Sequence, residues 1–235
     1  MANKFIFDVD GTLTPSRGIM DEKFSAWFFD FMRHNDVYFV TGSDAKKTIE
    51  QVGEEIFRKA KYSFNCSGNE VYQIGNLVYK NPWECPDDLW SWLEDQLYQS
   101  KYHPRYGRNF EVRTGMLNFS IVGRAAIGEQ RTQYYEWDLI NREREYLADY
   151  INNHWQNVTA SVGGETGIDI FEKGKDKAQI VKWFDQDDTL IFFGDRIDPV
   201  GNDWTLAQTI IDNYKGLCYN VKDYNETWDI LKSYD

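Results

Sequence analysis

The chain has 235 residues, and its 26 basic against 38 acidic side chains give a net charge of −12, which argues against nucleic acid or an anionic membrane surface as the main partner, because both call for a basic face. Hydrophobic residues at 42% and aromatics at 17% suffice for a packed core of one large or two modest domains and exclude disorder as the main state. Three cysteines (Cys66, Cys85, Cys218) at wide spacing, with no CxxC pair, exclude a disulfide framework and a thiolate zinc site. No apolar run approaches the ~20 residues that span a bilayer. The first residues, MANKFIFDVDGT, hold no apolar signal segment, so a reduced, cytoplasmic protein is expected.

In chain order, residues 5–7 form an apolar run ending in Asp8-Val9-Asp10-Gly11-Thr12, and 37–40 form another ending in Thr41-Gly42-Ser43-Asp44. Both read as buried parallel strands. Residues 21–33 carry apolar side chains at helical spacing, and Ser43 or Asp44 caps a second helix running to about residue 59. From about 82 to 174 the pattern changes: a helix over 86–99, strands over 110–113 and 117–121, one long helix over 128–152, then strands over 158–162 and 168–171. The first pattern then returns, with a helix near 176–184 and a strand over 190–193 followed by Gly194-Asp195. The expected fold class is α/β, a doubly wound Rossmann-like parallel sheet core with an inserted α+β domain. Its expected boundaries are 1–82 with 175–235 for the core and 83–174 for the insert.

In an open α/β sheet, polar residues at the carboxyl ends of strands face the ligand crevice. Three such ends carry Asp8 and Asp10, Thr41 and Ser43, and Asp195 with Asn202-Asp203 behind it. Carboxylates from two distant strands can hold one hard cation of the Mg²⁺ kind through oxygen. The pairing of Asp-x-Asp-Gly-Thr with Gly-Asp-x₆-Asn-Asp is far more specific than either half, because each half must follow an apolar strand.

These motifs resemble the signatures of the haloacid dehalogenase superfamily: FDVDGTLTPSR the first, Thr41 in FVTGSD the second, Lys177 in GKDK the third and GDRIDPVGND the fourth. The resemblance implies that Asp8 is a phosphoryl-accepting nucleophile and Asp10 a general acid/base, with Thr41 and Lys177 assisting. Asp8, Asp10, Asp195 and Asp203 would be the Mg²⁺ site. The chemistry is coherent, since a carboxylate nucleophile splits phosphoryl transfer into two steps while cation, lysine and hydroxyl offset charge on the moving group.

The segment EVRTGMLNFSIVGRAAIGEQR, with GGETGIDIF and GKDK after it, is similar to the cap of the eukaryotic-type phosphomannomutases, as is the TPSR extension of the first motif. By that resemblance Arg17, Arg113, Arg124 and Arg131 bind sugar phosphate, and Asn118 and Asp169 touch the sugar or its phosphate. The implied reaction interconverts mannose 6-phosphate and mannose 1-phosphate through a hexose 1,6-bisphosphate, which would also serve as activator. Closure of the cap would hinge near Pro82 and Gly174, and a homodimer through the cap is a further expectation. The chain departs from the family pattern in three places: Gly167 stands where a serine is usual two residues before the aspartate, Ile121-Val122 replace a proline before Gly-Arg, and SFNCSGNEVY replaces a Pro-Glu-Asn-Gly turn.

Two other functions remain open on sequence grounds. A Mg²⁺-dependent sugar-phosphate phosphatase would use the same scaffold, and a non-catalytic sugar-phosphate binder would not need the set Asp8, Asp10, Lys177 and Asp195. Trp90, Trp92, Tyr134, Tyr135 and Trp137 lie on helices and read as core or an apolar outer face rather than a sugar-stacking platform. His34, His103 and His154 fit no metal or base pattern, and Cys66 has no histidine partner nearby in sequence.

Overall fold

The structure, a computed structural model, describes residues 3–199 and 201–234. Met1, Ala2, Asp235 and Val200, the last inside the GDRIDPVGND motif, lie outside the described residues. Two units separate along the chain: Met1–Asn81 with Lys175–Asp235, and Pro82–Gly174.

The first passage through the larger unit runs β1 (Asn3–Phe7), α1 (Glu22–His34), β2 (Asp36–Val40), α2 (Ala45–Val52), α3 (Glu54–Lys59), β3 (Tyr62–Asn65), β4 (Glu70–Gln73) and β5 (Asn76–Lys80). The smaller unit follows with α4 (Asp87–Gln99), β6 (Phe110–Arg113), β7 (Met116–Phe119), α5 (Glu129–Asn141), α6 (Glu143–His154), β8 (Val158–Gly163) and β9 (Gly167–Glu172). The chain then returns through a 3₁₀ helix (Lys177–Trp183), β10 (Thr189–Gly194), α7 (Trp204–Asn213), β11 (Lys215–Asn220) and α8 (Tyr224–Leu231).

The larger unit is a seven-stranded sheet in the order β11-β10-β1-β2-β3-β4-β5. Its first five strands are parallel and the last two antiparallel. Helix α1 begins at Asp21, whose carboxylate accepts from the amides of Lys23 and Phe24. It buries Phe24, Phe28, Phe31 and Met32, the i, i+4, i+7, i+8 stripe of an amphipathic helix. That stripe packs on the β1 face carrying Phe5 and Phe7, with Phe7 and Phe28 edge to face at 5.3 Å. Each fully buried phenylalanine contributes roughly 1.5–3 kcal/mol, so the central strand is anchored before it delivers its two aspartates.

The expected helix to residue 59 is two helices, because Gly53 takes φ +86 after α2 and the chain restarts as α3. Asp44, not Ser43, caps α2 by accepting from the amide of Lys47. The hairpin β4–β5, the strand β11 and the helices α7 and α8 were not anticipated.

The smaller unit is a four-stranded antiparallel sheet in the order β6-β7-β9-β8. Leu117, Phe119, Val158, Ala160, Ile168 and Ile170 project from one face into a core with Leu89, Leu93, Tyr134 and Leu147 of the helices. Alternate residues on the same strands therefore form the opposite face, which carries Glu111, Asn118, Ser161 and Asp169 beside the buried Met116 and Phe171. Trp90 stacks on Phe110 at 4.6 Å and Trp92 on Tyr150 at 4.7 Å, so these aromatics serve packing. The single long helix expected over 128–152 breaks at Arg142, which takes the left-handed conformation (φ 52). Asp138 causes the break: its carboxylate accepts from the amide of Arg144 (3.0 Å) in the first turn of α6, in place of helix continuation. Among the described residues, no helix is long and apolar enough to cross a membrane.

Candidate functional site

The parallel register β10-β1-β2 places the ends of these three strands side by side. Asp8 follows β1 directly and its amide donates to the Phe193 carbonyl at 2.9 Å. Asp195 follows β10, Asp203 immediately precedes α7, and Lys177 opens the 3₁₀ helix. The Lys177 ammonium donates to Asp8 Oδ1 at 2.5 Å and to Asp203 Oδ1 at 2.6 Å. All three side chains are buried. The second Asp203 oxygen accepts from the Arg196 amide (3.2 Å), and Asp8 Oδ2 lies 3.5 Å from the Thr12 hydroxyl.

One oxygen from each of Asp8, Asp195 and Asp203 lies within 4.8 Å of the others. Three carboxylates face one ammonium, so two negative charges remain when all ionise. Burial, followed by the neighbouring carboxylates, pushes the Asp8 carboxyl well above its ordinary range against the opposing pull of Lys177. Burial and then Asp203 push Asp195 up to about 6. Burial pulls the Lys177 ammonium down, but Asp203 and Asp8 outweigh it and hold its pKa above the ordinary lysine value. An all-oxygen donor set with excess negative charge fits a hard divalent cation. Gly11 makes the close approach possible: its φ is +82, and a Cβ there would stand 2.5 Å from Asp195 Oδ2.

Asp10, expected as a fourth ligand, does not join this cluster. Its Oδ1 accepts from the Arg17 amide at 2.6 Å and from Gln51 Nε2 at 2.9 Å, while Oδ2 lies 3.5 Å from the Ser43 hydroxyl and 3.9 Å from the Lys47 ammonium. Both oxygens are engaged by donors from the loop and α2, which explains the separation. The two N-terminal aspartates thus occupy different environments, one buried among charges and one held by amide and hydroxyl donors. Thr41 is buried, and its hydroxyl accepts from the Ser43 amide at 3.1 Å.

The departure at SFNCSGNEVY is a tight turn with left-handed Cys66 (φ 48) and Ser67 (φ 58). Backbone strain of this kind, of order 1–3 kcal/mol per residue, persists only where the surroundings impose it. Here the Cys66 amide donates to the Ser43 carbonyl and the Ser67 amide to the Thr41 carbonyl, both at 2.8 Å. Gln179 Nε2 donates to the Ser67 carbonyl at 2.8 Å. The turn thereby ties the loop after β2 to the helix bearing Lys177. None of the three cysteines forms a disulfide among the described residues, and burial pushes the Cys85 thiol up to about 12 and Cys218 to about 11, which leaves these two unreactive near neutral pH.

On the sheet face of the smaller unit opposite its core, register places Glu111, Asn118, Asp169 and Ser161 in one row across four strands. Asn118 Nδ2 donates to Asp169 Oδ1 at 2.6 Å, and buried Asn118 Oδ1 has no hydrogen-bond partner among the described residues. Arg113 and Arg124, whose shared face could not be read from sequence, converge on Glu111 at 3.2 and 2.5 Å. Burial raises the Glu111 carboxyl, but the two guanidiniums outweigh it and lower it to about 2. Arg131 donates to Glu165 at 2.8 Å and lies 3.4 Å from the Thr166 hydroxyl. Gly167 packs against Asn118: a Cβ there would stand 2.7 Å from its Nδ2. Arg17, exposed on the loop after β1, belongs to the larger unit.

Sequence reasoning missed Gln51, Lys47, Glu111 and Glu165. Glu111 was within reach, since it alternates with Arg113 on β6 and period two puts them on one face. Gln51 carries no local signal, because it meets Asp10 only through the packing of α2 on the loop.

The sequence model for the eukaryotic phosphomannomutases matches residues 25–234, a range that begins after Asp8, Asp10 and Arg17. Human phosphomannomutase 1 is 32% identical over 213 residues, covering 86% of this chain and 81% of that protein. The Saccharomyces cerevisiae phosphomannomutase is 29% identical over 242 residues, covering 96% and 91%. Among solved structures, the C-terminal domain of Candida albicans trehalose-6-phosphate phosphatase has a TM-score of 0.64 at 17% identity, over 90% of this chain and 74% of that one. An IMP-bound mutant of Plasmodium falciparum IMP-nucleotidase has a TM-score of 0.64 at 16% identity, over 99% and 68%. A haloacid dehalogenase-like hydrolase from Bacteroides thetaiotaomicron has a TM-score of 0.60 at 10% identity, over 98% and 100%. At these identities the structural likenesses speak for the fold.

Proposed function

Because the chain belongs to the eukaryotic phosphomannomutase family, we propose that it interconverts mannose 6-phosphate and mannose 1-phosphate through an aspartyl-phosphate on Asp8 and a hexose 1,6-bisphosphate. The observation that carries this reading is the division of labour between two carboxylates two residues apart: Asp8 lies in a buried charged cluster with Lys177, whereas Asp10 is held outside it by Gln51 and the Arg17 amide. Carboxylates in such different surroundings can take different roles in one reaction.

In this reading an Asp8 oxygen forms a bond to phosphorus as the bond from phosphorus to a sugar oxygen of the bisphosphate breaks. Asp10 gives that departing oxygen a proton. The free hydroxyl of the isomeric hexose monophosphate then attacks the aspartyl-phosphate and returns its proton to Asp10, which restores both carboxyls and re-forms the bisphosphate, ready to turn end for end and give up its other phosphoryl. Lys177 offsets negative charge on the transferring group, and Thr41 stands on the adjacent strand end as a hydroxyl donor. Mg²⁺ held by Asp8, Asp195 and Asp203 would supply fixed positive charge to the phosphoryl oxygens.

The larger unit is the catalytic core in this reading, and the smaller unit the cap that reads the substrate. Arg17, Arg113, Arg124 and Arg131 bind phosphate through their guanidinium forks, and Asn118 with Asp169 contacts the sugar. The reading extends to a cytoplasmic setting, in keeping with three widely spaced cysteines in the sequence. It also includes a homodimer through the smaller unit, where α5 exposes Leu139 and Ile140.

The test is a phosphorus NMR time course on mannose 1-phosphate with Mg²⁺ and a trace of hexose 1,6-bisphosphate. Conversion to the 6-phosphate with little inorganic phosphate is expected. Rapid release of inorganic phosphate without the isomer would make the protein a phosphatase instead.

A further inference from the structure

A buried guanidinium that the proposed chemistry does not use lies behind the turn between β8 and β9. Arg144, in the first turn of α6, is only 3% exposed. Its Nε donates to Asp138 Oδ2 at 2.7 Å while its amide donates to Asp138 Oδ1 at 3.0 Å. Its Nη1 donates to the Gly164 carbonyl at 2.9 Å and lies 3.5 Å from the Gly167 carbonyl. The charge is therefore balanced by one carboxylate, and Nη1 reaches the carbonyls at the two ends of a single turn.

That turn positions the groups that the proposed function assigns to the substrate. Glu165 and Thr166 on it hold Arg131, and Asp169 follows it on β9 to meet Asn118 at 2.6 Å. There is little slack around that pair: a Cβ at Gly163 would stand 2.6 Å from Asp169 Oδ2, and one at Gly167 would stand 2.7 Å from Asn118 Nδ2. Only glycine lets the backbone run this close to the pair at both positions, so a movement of the turn changes the space in which Asn118 and Asp169 sit.

We infer that Arg144 is a positioning residue for hexose phosphate: it clamps the 163–167 turn and thereby sets both Arg131 and the Asn118–Asp169 pair. The choice of ligand rests on the proposed function, and the clamp itself rests on the contacts of Arg144. Lysine cannot replace it, because an ammonium keeps the charge but cannot bridge a carboxylate and two carbonyls as a planar fork.

The experiment compares Arg144→Lys and Arg131→Ala, singly and combined, by calorimetric binding of mannose 6-phosphate, thermal midpoint and hydrogen exchange over residues 163–169. R144K is expected to stay folded, to weaken binding about tenfold and to speed exchange in that segment. Because the clamp acts partly through Arg131, the double variant should lose less affinity than the product of the two single losses. A folded R144K that binds like the unaltered protein overturns the inference, as does a double variant whose loss equals that product. If R144K does not fold, Asp138→Asn, which keeps the arginine and weakens its anchor, is read by the same criteria. Should the unaltered protein bind no mannose 6-phosphate, the proposed function fails on that result alone. The clamp is then judged by exchange, and unchanged protection over 163–169 in R144K overturns it.

Discussion

Lys177 Nζ stands 2.5 Å from Asp8 Oδ1, with both side chains buried. The contact matters because the same ammonium also holds Asp203 at 2.6 Å, so one positive charge restrains the carboxylates that would bind a cation. Removing one partner of a buried ion pair leaves uncompensated charge and costs about 3–5 kcal/mol. Lys177→Met should therefore lower the unfolding free energy in urea by about that amount in the absence of added metal. A loss below about 1 kcal/mol, the scale of a surface pair, would show that the cluster is not the buried electrostatic centre described here.

Gln51 holds Asp10 through a 2.9 Å hydrogen bond while its Nε2 also lies 3.2 Å from the Thr14 hydroxyl and 3.3 Å from the Gly18 carbonyl. A positioned acid/base contributes roughly 10²–10⁴-fold to rate. Gln51→Leu keeps the volume approximately and removes the donor, so kcat should fall by about 10–100-fold. Steady-state kinetics beside a thermal melt would decide the matter; a folded variant with unchanged kcat would mean that Asp10 needs no such support.

The polar ends of β1, β2 and β10 were legible because buried parallel strands are short apolar runs and their polar terminations stand out against them. Asp8, Asp195, Asp203 and Lys177 converge as the motifs implied. What escaped was decided by packing or by single backbone angles. Asp10 and Asp8 look equivalent in sequence, yet donors on α2 take Asp10 out of the cluster. The break at Arg142 has no glycine or proline to announce it; it depends on Asp138 capping the next helix. Gln51 and Arg144 act across the fold, where periodicity gives no hint of a partner.

The Glu111 carboxyl, ordinarily near 4.5, lies at about 2 in the folded protein because Arg113 and Arg124 outweigh the cost of its burial. A depressed carboxyl contributes stability above its unfolded value and loses that contribution as pH falls through the folded value. The window therefore lies between about 4.5 and about 2. Denaturation midpoints taken from pH 6 down to pH 3, roughly spanning that loss, should drop further in the unaltered protein than in Glu111→Gln. Parallel curves would show that the two arginines do not hold Glu111 as an ion.

Gly167 departs from the family pattern, and restoring serine should not help this chain. The new Cβ would stand 2.7 Å from Asn118 Nδ2 and would push the amide off Asp169. Gly167→Ser is expected to raise KM for mannose 1-phosphate severalfold, on the order of 1 kcal/mol of lost binding, with a smaller change in kcat. A lower KM in the serine variant would mean that its hydroxyl gains a substrate contact that outweighs the displaced amide.

The central claim is that Asp8 carries the phosphoryl group. Its most direct test is peptide mapping of protein quenched in acid after brief exposure to hexose 1,6-bisphosphate and Mg²⁺. The account predicts an acyl-phosphate on Asp8, absent from a folded Asp8→Asn variant that also fails to interconvert the two mannose phosphates. Phosphoryl on another residue, or isomerisation by Asp8→Asn, would contradict it.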